Sequence, residues 1–310
     1  MPPAQQPPDR FVDQLMVFIA ALSALGASTC WAVMAFLAHR PARLFGPFAL
    51  TRLQLISASV VLVALVTVLG GWQTVAWSYW ISFVVASVVG VVLGNMAMFA
   101  CLRRGGPRRT QLLVSMNGPF AALLGYFFLG EVLSGQNLLG CAVALGGMAL
   151  AIRYGGNRED RLEDVSGPLW IVVALGLSTA LANAISLVFL KPAMVAGTDP
   201  LAANALRTGG GAVFILIWSL WRVPQTPYPA RPSAGLLLHA VTPGLLGFVF
   251  AVSLQLYAVR WMDTGLAVVL SSAAPVIMLP MIWLLTGNRP RLLAWVGALL
   301  AVTGIALILL

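Results

Sequence analysis

Long apolar stretches succeed one another along the chain, separated by brief clusters of arginine, proline and glycine. Each is long enough to supply the roughly 20 helical residues that cross a hydrocarbon core about 30 Å thick. The pattern predicts ten such helices, over residues 15–38, 46–69, 78–102, 110–130, 135–153, 167–190, 200–221, 235–259, 265–286 and 291–310. Most connections are short, which makes successive helices antiparallel neighbours. The expected class is an all-α integral membrane protein embedded in a lipid bilayer.

Composition strengthens this reading. Hydrophobic residues fill 60% of the 310 positions and charged residues only 9%, and mean hydropathy is +0.94. A soluble domain carries roughly a quarter charged residues. Eighteen basic and nine acidic side chains are too few to cover a water-facing surface of this size, so soluble-enzyme and disordered readings fall away. The net charge of +9 would suggest nucleic acid in a soluble protein. No basic stripe interleaved with aromatics appears, so no nucleic-acid partner is expected. Cys30, Cys101 and Cys141 lack the paired spacing of a metal site and read as packing residues. No metal or other cofactor is expected. The first apolar run is longer than a signal-peptide core, and the proline-rich residues 1–14 read as a disordered tail.

The chain reads as two halves, 15–153 and 167–310, joined by a charged linker over 154–166. The segment GPFAALLGYFFLGEVLSGQNLLGCAVALGGMAL, from Gly118 to Leu150, resembles APVIMLPMIWLLTGNRPRLLAWVGALLAVTGIAL, from Ala274 to Leu307. Pro119 matches Pro275, Gly130 matches Gly287, Gly140 matches Gly297 and Gly147 matches Gly304. Arg52 matches Arg207 in the second helix of each half. Thirteen of the eighteen basic residues fall in the loops after helices 1, 3, 5, 7 and 9, against Arg10, Lys191 and Arg260 on the other side. The positive-inside rule then puts the arginine-rich loops in the cytoplasm and both termini outside. Five helices per half make the second half upside down relative to the first, the arrangement from which many transporters build alternating access around a central cavity.

On these residues the sequence resembles the EamA-type ten-helix members of the drug/metabolite transporter superfamily. The resemblance spans about Leu15 to Leu310 and rests on the proline-containing fourth helix, the Gly130-Glu131 ending and the glycine-rich fifth helix. The second half departs from it at Gly287-Asn288, where the acidic residue is missing. The resemblance implies a basket-like fold with a central cavity. Members of the superfamily include exporters of amino acids, among them the aromatic amino acid exporter YddG.

Polar groups within spans are the candidates for transport, because lipid tolerates them only when protein or water covers them. Trp31, Arg52, Gln54 and Asn95 lie toward the cytoplasmic ends of their helices. Asn183, Arg207, Ser253 and Gln255 lie toward the outer ends, mirrored about the midplane, so the two sets are expected at gates or cavity rims. An arginine this deep also has a structural use, bonding free carbonyls or snorkelling. Pro119 and Pro275 sit mid-helix beside Asn117 and Ser271 and are expected to break their helices at substrate depth. A plain kink satisfied by the neighbouring hydroxyls is the structural alternative. The glycines at 140–147 and 209–211 are expected to permit close helix contact.

No carboxylate occupies a span centre. That disfavours carboxylate-based proton exchange and favours export by facilitated diffusion (uniport) of a small neutral-to-zwitterionic metabolite, with an aromatic or otherwise hydrophobic amino acid as the expected cargo. The expected setting is a bacterial-type inner membrane, with the chain working as a monomer. A proton-coupled drug or metabolite antiporter is the alternative. An intramembrane enzyme is more remote: Gly26-Ala27-Ser28 offers only a short match to a serine protease site, with no histidine at its depth.

Overall fold

The computed structural model describes residues 10–132, 134–154, 168–221, 233–286 and 291–309. Every regular element among them is helical. The chain begins in a continuous helical run, Arg10–Leu69, with one non-helical residue, Gly46 (φ 72°, ψ 167°). Helices α1 and α2, with apolar spans Gln14–Met34 and Phe48–Leu69, are the two arms on either side of it. Met34 meets Gly247 and Gln54 meets Gly244. A straight helix would hold Met34 and Gln54 about 30 Å apart, so the chain reverses between them. The left-handed φ at Gly46 makes glycine the suited residue there. Residues 10–14, expected as disordered tail, are helical; residues 1–9 lie outside the described part.

Helix α3 (Trp77–Gly105) is followed without a coil by α4, residues 110–129, although Gly94–Val114 is hydrogen-bonded as one helix. Thr110 Oγ1 lies 3.4 Å from Cys101 Sγ. Nine helical residues would separate these positions by about 13.5 Å, so the chain turns back here too. Then come α5 (Gly135–Tyr154), α6 (Leu169–Val195) and α7 (Pro200–Trp221). They are followed by α8 (Ala234–Trp261), α9 in two pieces (Thr264–Ser271 and Ala274–Thr286) and α10 (Leu292–Leu309). Helices thus stand at the ten expected places with shifted ends, and six among the described residues are long and apolar enough to cross a membrane. Most of the linker, 155–167, lies outside the described residues.

Glycine contacts establish how the halves meet. A Cβ at Gly147 would stand 2.3 Å from Ala301 N, one at Gly297 2.4 Å from Ala151 N, and one at Gly304 2.3 Å from Ala144 N. Residue numbers rise along α5 as they fall along α10, so these helices are antiparallel. They occupy equivalent places in the two halves, and the second half is therefore inverted. The Gly147–Ala301 contact also recurs with partners exchanged as Gly304–Ala144, the relation a two-fold axis imposes. Backbones this close gain dispersion contacts that lipid cannot supply.

Two further pairs interlock the halves. Gly90 and Gly94 of α3 meet Ser186 and Ala182 of α6, while Gly26 of α1 meets Leu254 of α8 and Gly247 meets Met34. Each half lends its third helix to the other half's first. Both third helices carry a π-helical stretch, Ala86–Leu93 in α3 and Leu245–Ala251 in α8. Side chains cover the carbonyls there: Ser186 Oγ donates to Ala86 O (3.5 Å) and Asn95 Nδ2 to Val91 O (2.6 Å). The outward faces stay apolar, as with Val68, Leu220 and Leu292, each at least 80% exposed.

Candidate functional site

A cavity of about 100 Å³ lies between the halves. Trp31, Asn95 and Asn117 of the first half and Asn183, Arg207, Gln255 and Ser271 of the second all line it. Four other expected residues that are described do not. Gln54 is buried with its Nε2 donating to Ala240 O (3.0 Å), packed on Gly244; it ties α2 to α8. Ser253 accepts from Asn204 Nδ2 at 2.9 Å. Pro119 lies outside the lining, and the side chain of Pro275 is outside the described residues.

The fourth is Arg52, and it breaks the expected mirror pair. Arg52 is half-buried and apart from the lining, whereas Arg207 is only 4% exposed and faces the cavity. Sequence spacing placed both at matching depth, but burial depends on which neighbouring helix covers the position. Gly210 and Gly211 draw α7 against Ser87 and Val91 of α3. Arg207, one turn away from Gly210 on α7, is enclosed with them.

The prolines act differently from expectation. Helix α4 breaks at Ser115 and Met116 and α9 at Ser272 and Ala273, so each break precedes its proline. Pro119 and Pro275 lie in the first turn of the helical pieces that follow, Asn117–Leu129 and Ala274–Thr286. A missing N–H costs little in a first turn. In α9 two serines beside the break add side-chain bonds to carbonyls of the preceding turn, with Ser271 Oγ donating to Ala267 O (2.8 Å) and Ser272 Oγ to Val268 O (2.7 Å). Asn117 and Ala274, the first residues of the two pieces, both line the cavity.

The cavity is one-sided. Ala38, Leu102 and Thr110 carry its lining toward the arginine-rich face. Toward the opposite face the lining stops at Leu187, Arg207 and Gln255, short of the helix ends at Val195, Pro200 and Trp261. There Glu131, after α4, is buried and bonded on several sides. It accepts from Lys191 Nζ at the end of α6 (2.5 Å), from Thr264 N (3.1 Å) and from Thr264 Oγ1 (2.7 Å) at the start of α9. Lys191 Nζ also donates to Met262 O at 3.2 Å. A carboxylate at a helix N-terminus is favoured by the dipole as well as by these bonds. Nearby, burial pushes the Asp263 carboxyl above its ordinary range; Lys191 pulls it down and Glu131 pushes it up.

Sequence reading missed this cluster, although the Gly130-Glu131 ending was conspicuous. Glu131 and Lys191 are 60 residues apart, and each looks like an ordinary charge at a span end. It also missed Asn204, whose Nδ2 donates to Phe248 O (2.6 Å) in the π-helical stretch of α8; an amide inside an apolar span was the available signal. Ser28, the serine of the short protease-like match, is fully buried and outside the cavity lining.

A sequence model of the EamA-like transporter family matches the chain twice, over residues 18–153 and 170–310. The chain belongs to the EamA-like transporter family. It is a multi-pass membrane transporter, and not an enzyme. This EamA-like chain is also 32% identical over 148 residues to the threonine/homoserine exporter RhtA of Salmonella typhimurium, in strains SL1344 and LT2. The matched stretch spans about half of each protein, 47% of this chain and 48% of the relative. A crystal structure with 20% sequence identity superimposes with a TM-score of 0.71, covering 93% of this chain and 96% of the other. That likeness concerns the fold.

Proposed function

We propose that this transporter exports an amino acid or a closely related small metabolite across a bacterial-type inner membrane by alternating access. The arginine-rich face is cytoplasmic and both termini are outside. The observation that carries this reading is the one-sided cavity: it extends toward the arginine-rich face and is closed at the other by the Glu131–Lys191–Thr264 cluster. That is the form of a carrier waiting for cytoplasmic cargo. Its amide, hydroxyl and aromatic lining suits a small polar molecule with an apolar part. The threonine/homoserine exporters support an amino acid, and no carboxylate among the described residues lines the cavity. Transport is facilitated diffusion, driven by the cargo's own gradient.

Counterflow in proteoliposomes tests this. Vesicles preloaded with L-threonine, L-homoserine or L-phenylalanine are expected to accumulate the labelled form of at least one of them, with the lumenal pH unchanged. Absence of exchange for every amino acid would contradict amino-acid export. Stoichiometric acidification or alkalinisation of the lumen would replace uniport by proton coupling.

A further inference from the structure

We propose that Arg207 is the anchor for a carboxylate on the cargo, so that the transporter selects molecules bearing a free carboxylate over their amides and amines. This rests on reading the cavity as the cargo site. Arg207 is the only charged residue in the described lining, and it is almost wholly buried. Its Nε has no hydrogen-bond partner, and no ion pair among the described residues involves it. A buried cation left unpaired is costly, and proteins keep such a group when a ligand completes it.

Two helix breaks also lie at the cavity wall. The helical pieces Asn117–Leu129 and Ala274–Thr286 both begin at its wall. Helix N-termini carry partial positive charge and favour anions. The preceding pieces end at the same wall, at Val114 and Ser271, and their carbonyl ends offset much of that field, so Arg207 is left as the one net charge in the described lining. A planar guanidinium receives a carboxylate through two parallel hydrogen bonds, which gives orientation as well as attraction. The cargo carboxylate then balances the charge of Arg207.

The test measures binding to the purified full-length protein in detergent, separately from transport. The probes are L-threonine, L-phenylalanine, the amides of both, and 3-phenylpropionate. The acids are expected to bind roughly 10- to 100-fold more tightly than the matching amides, as a lost hydrogen bond to a charged group implies. In Arg207→Gln that preference disappears, while Arg207→Lys keeps part of it. The Gln variant is also expected to melt no lower than the wild type without ligand, since it removes an unpaired buried charge. Amides binding as well as acids to the wild type overturn the proposal, even if Arg207→Gln does not fold. A preference that survives in Arg207→Gln overturns it as well. Binding of 3-phenylpropionate without either amino acid overturns the amino-acid reading and supports the anchor. Failure of every acid to bind overturns both.

Discussion

Replacing Gly147 by alanine is expected to cost the protein several degrees of melting temperature in detergent and much of its folded yield. Replacing Gly304 should do the same to a similar extent. The added methyl in each case would stand 2.3 Å from a backbone nitrogen of the facing helix. Backbone cannot turn aside as a side chain can, so α5 and α10 must separate. Overpacking typically costs about 1–3 kcal/mol and occasionally more. The seam between the halves is lost along with the local contact. Gly146 is the control: a methyl there meets nothing within 4 Å. Its alanine variant should be neutral or stabilising, because alanine in a helix is better than glycine by about 1 kcal/mol. Thermal melting followed by size-exclusion recovery distinguishes the three. Equal tolerance at all three positions would contradict the antiparallel seam.

The second large effect is expected at Lys191. Substitution by methionine leaves the Glu131 carboxylate buried without its cation, and breaking a buried pair in this way costs about 3–5 kcal/mol. Thr264 still donates to Glu131 through its hydroxyl and its backbone, which keeps the loss toward the lower end. The double variant Glu131→Gln with Lys191→Met removes both charges and should recover most of the stability. Its closure on that face should nonetheless be weaker than in the wild type, because the bonds joining the end of α4 to α6 and the start of α9 are reduced. A double variant as unstable as Lys191→Met alone would show that the pair contributes packing rather than charge. Melting curves of the single and double variants read this directly.

Much of the architecture could be read from the chain because membrane helices announce themselves by apolar length. The inversion followed from counting: an odd number of spans per half must turn the second half over, and the contacts of α5 with α10 bear this out. The close helix contacts expected of Gly147 and Gly210 are also present. Other features depend on pairing between distant segments, which periodicity does not carry. Glu131 and Lys191 meet only because α4 and α6 end on the same face. Arg52 and Arg207 are matched in sequence and differ in burial, because different neighbours enclose them. The helix breaks precede Pro119 and Pro275, since a proline sits comfortably in the first turn of a new helix. The π-helical stretches of α3 and α8 left no legible trace, for their sequences are as apolar as any other part of those spans. Wide turns of this kind recur at functional positions, and here Phe248 lies in one and lines the cavity.

Alternating access requires the cavity between the halves to open to one face at a time. Ser272 lines that cavity and offers the most direct probe: Ser272→Cys in a protein whose Cys30, Cys101 and Cys141 are replaced by serine, reconstituted and exposed to an impermeant thiol reagent from either face. Labelling from the arginine-rich face alone is expected at rest, with labelling from the opposite face appearing only in the presence of cargo or after Lys191→Met. Free labelling from both faces at rest, or none from the opposite face under any condition, would contradict alternating access.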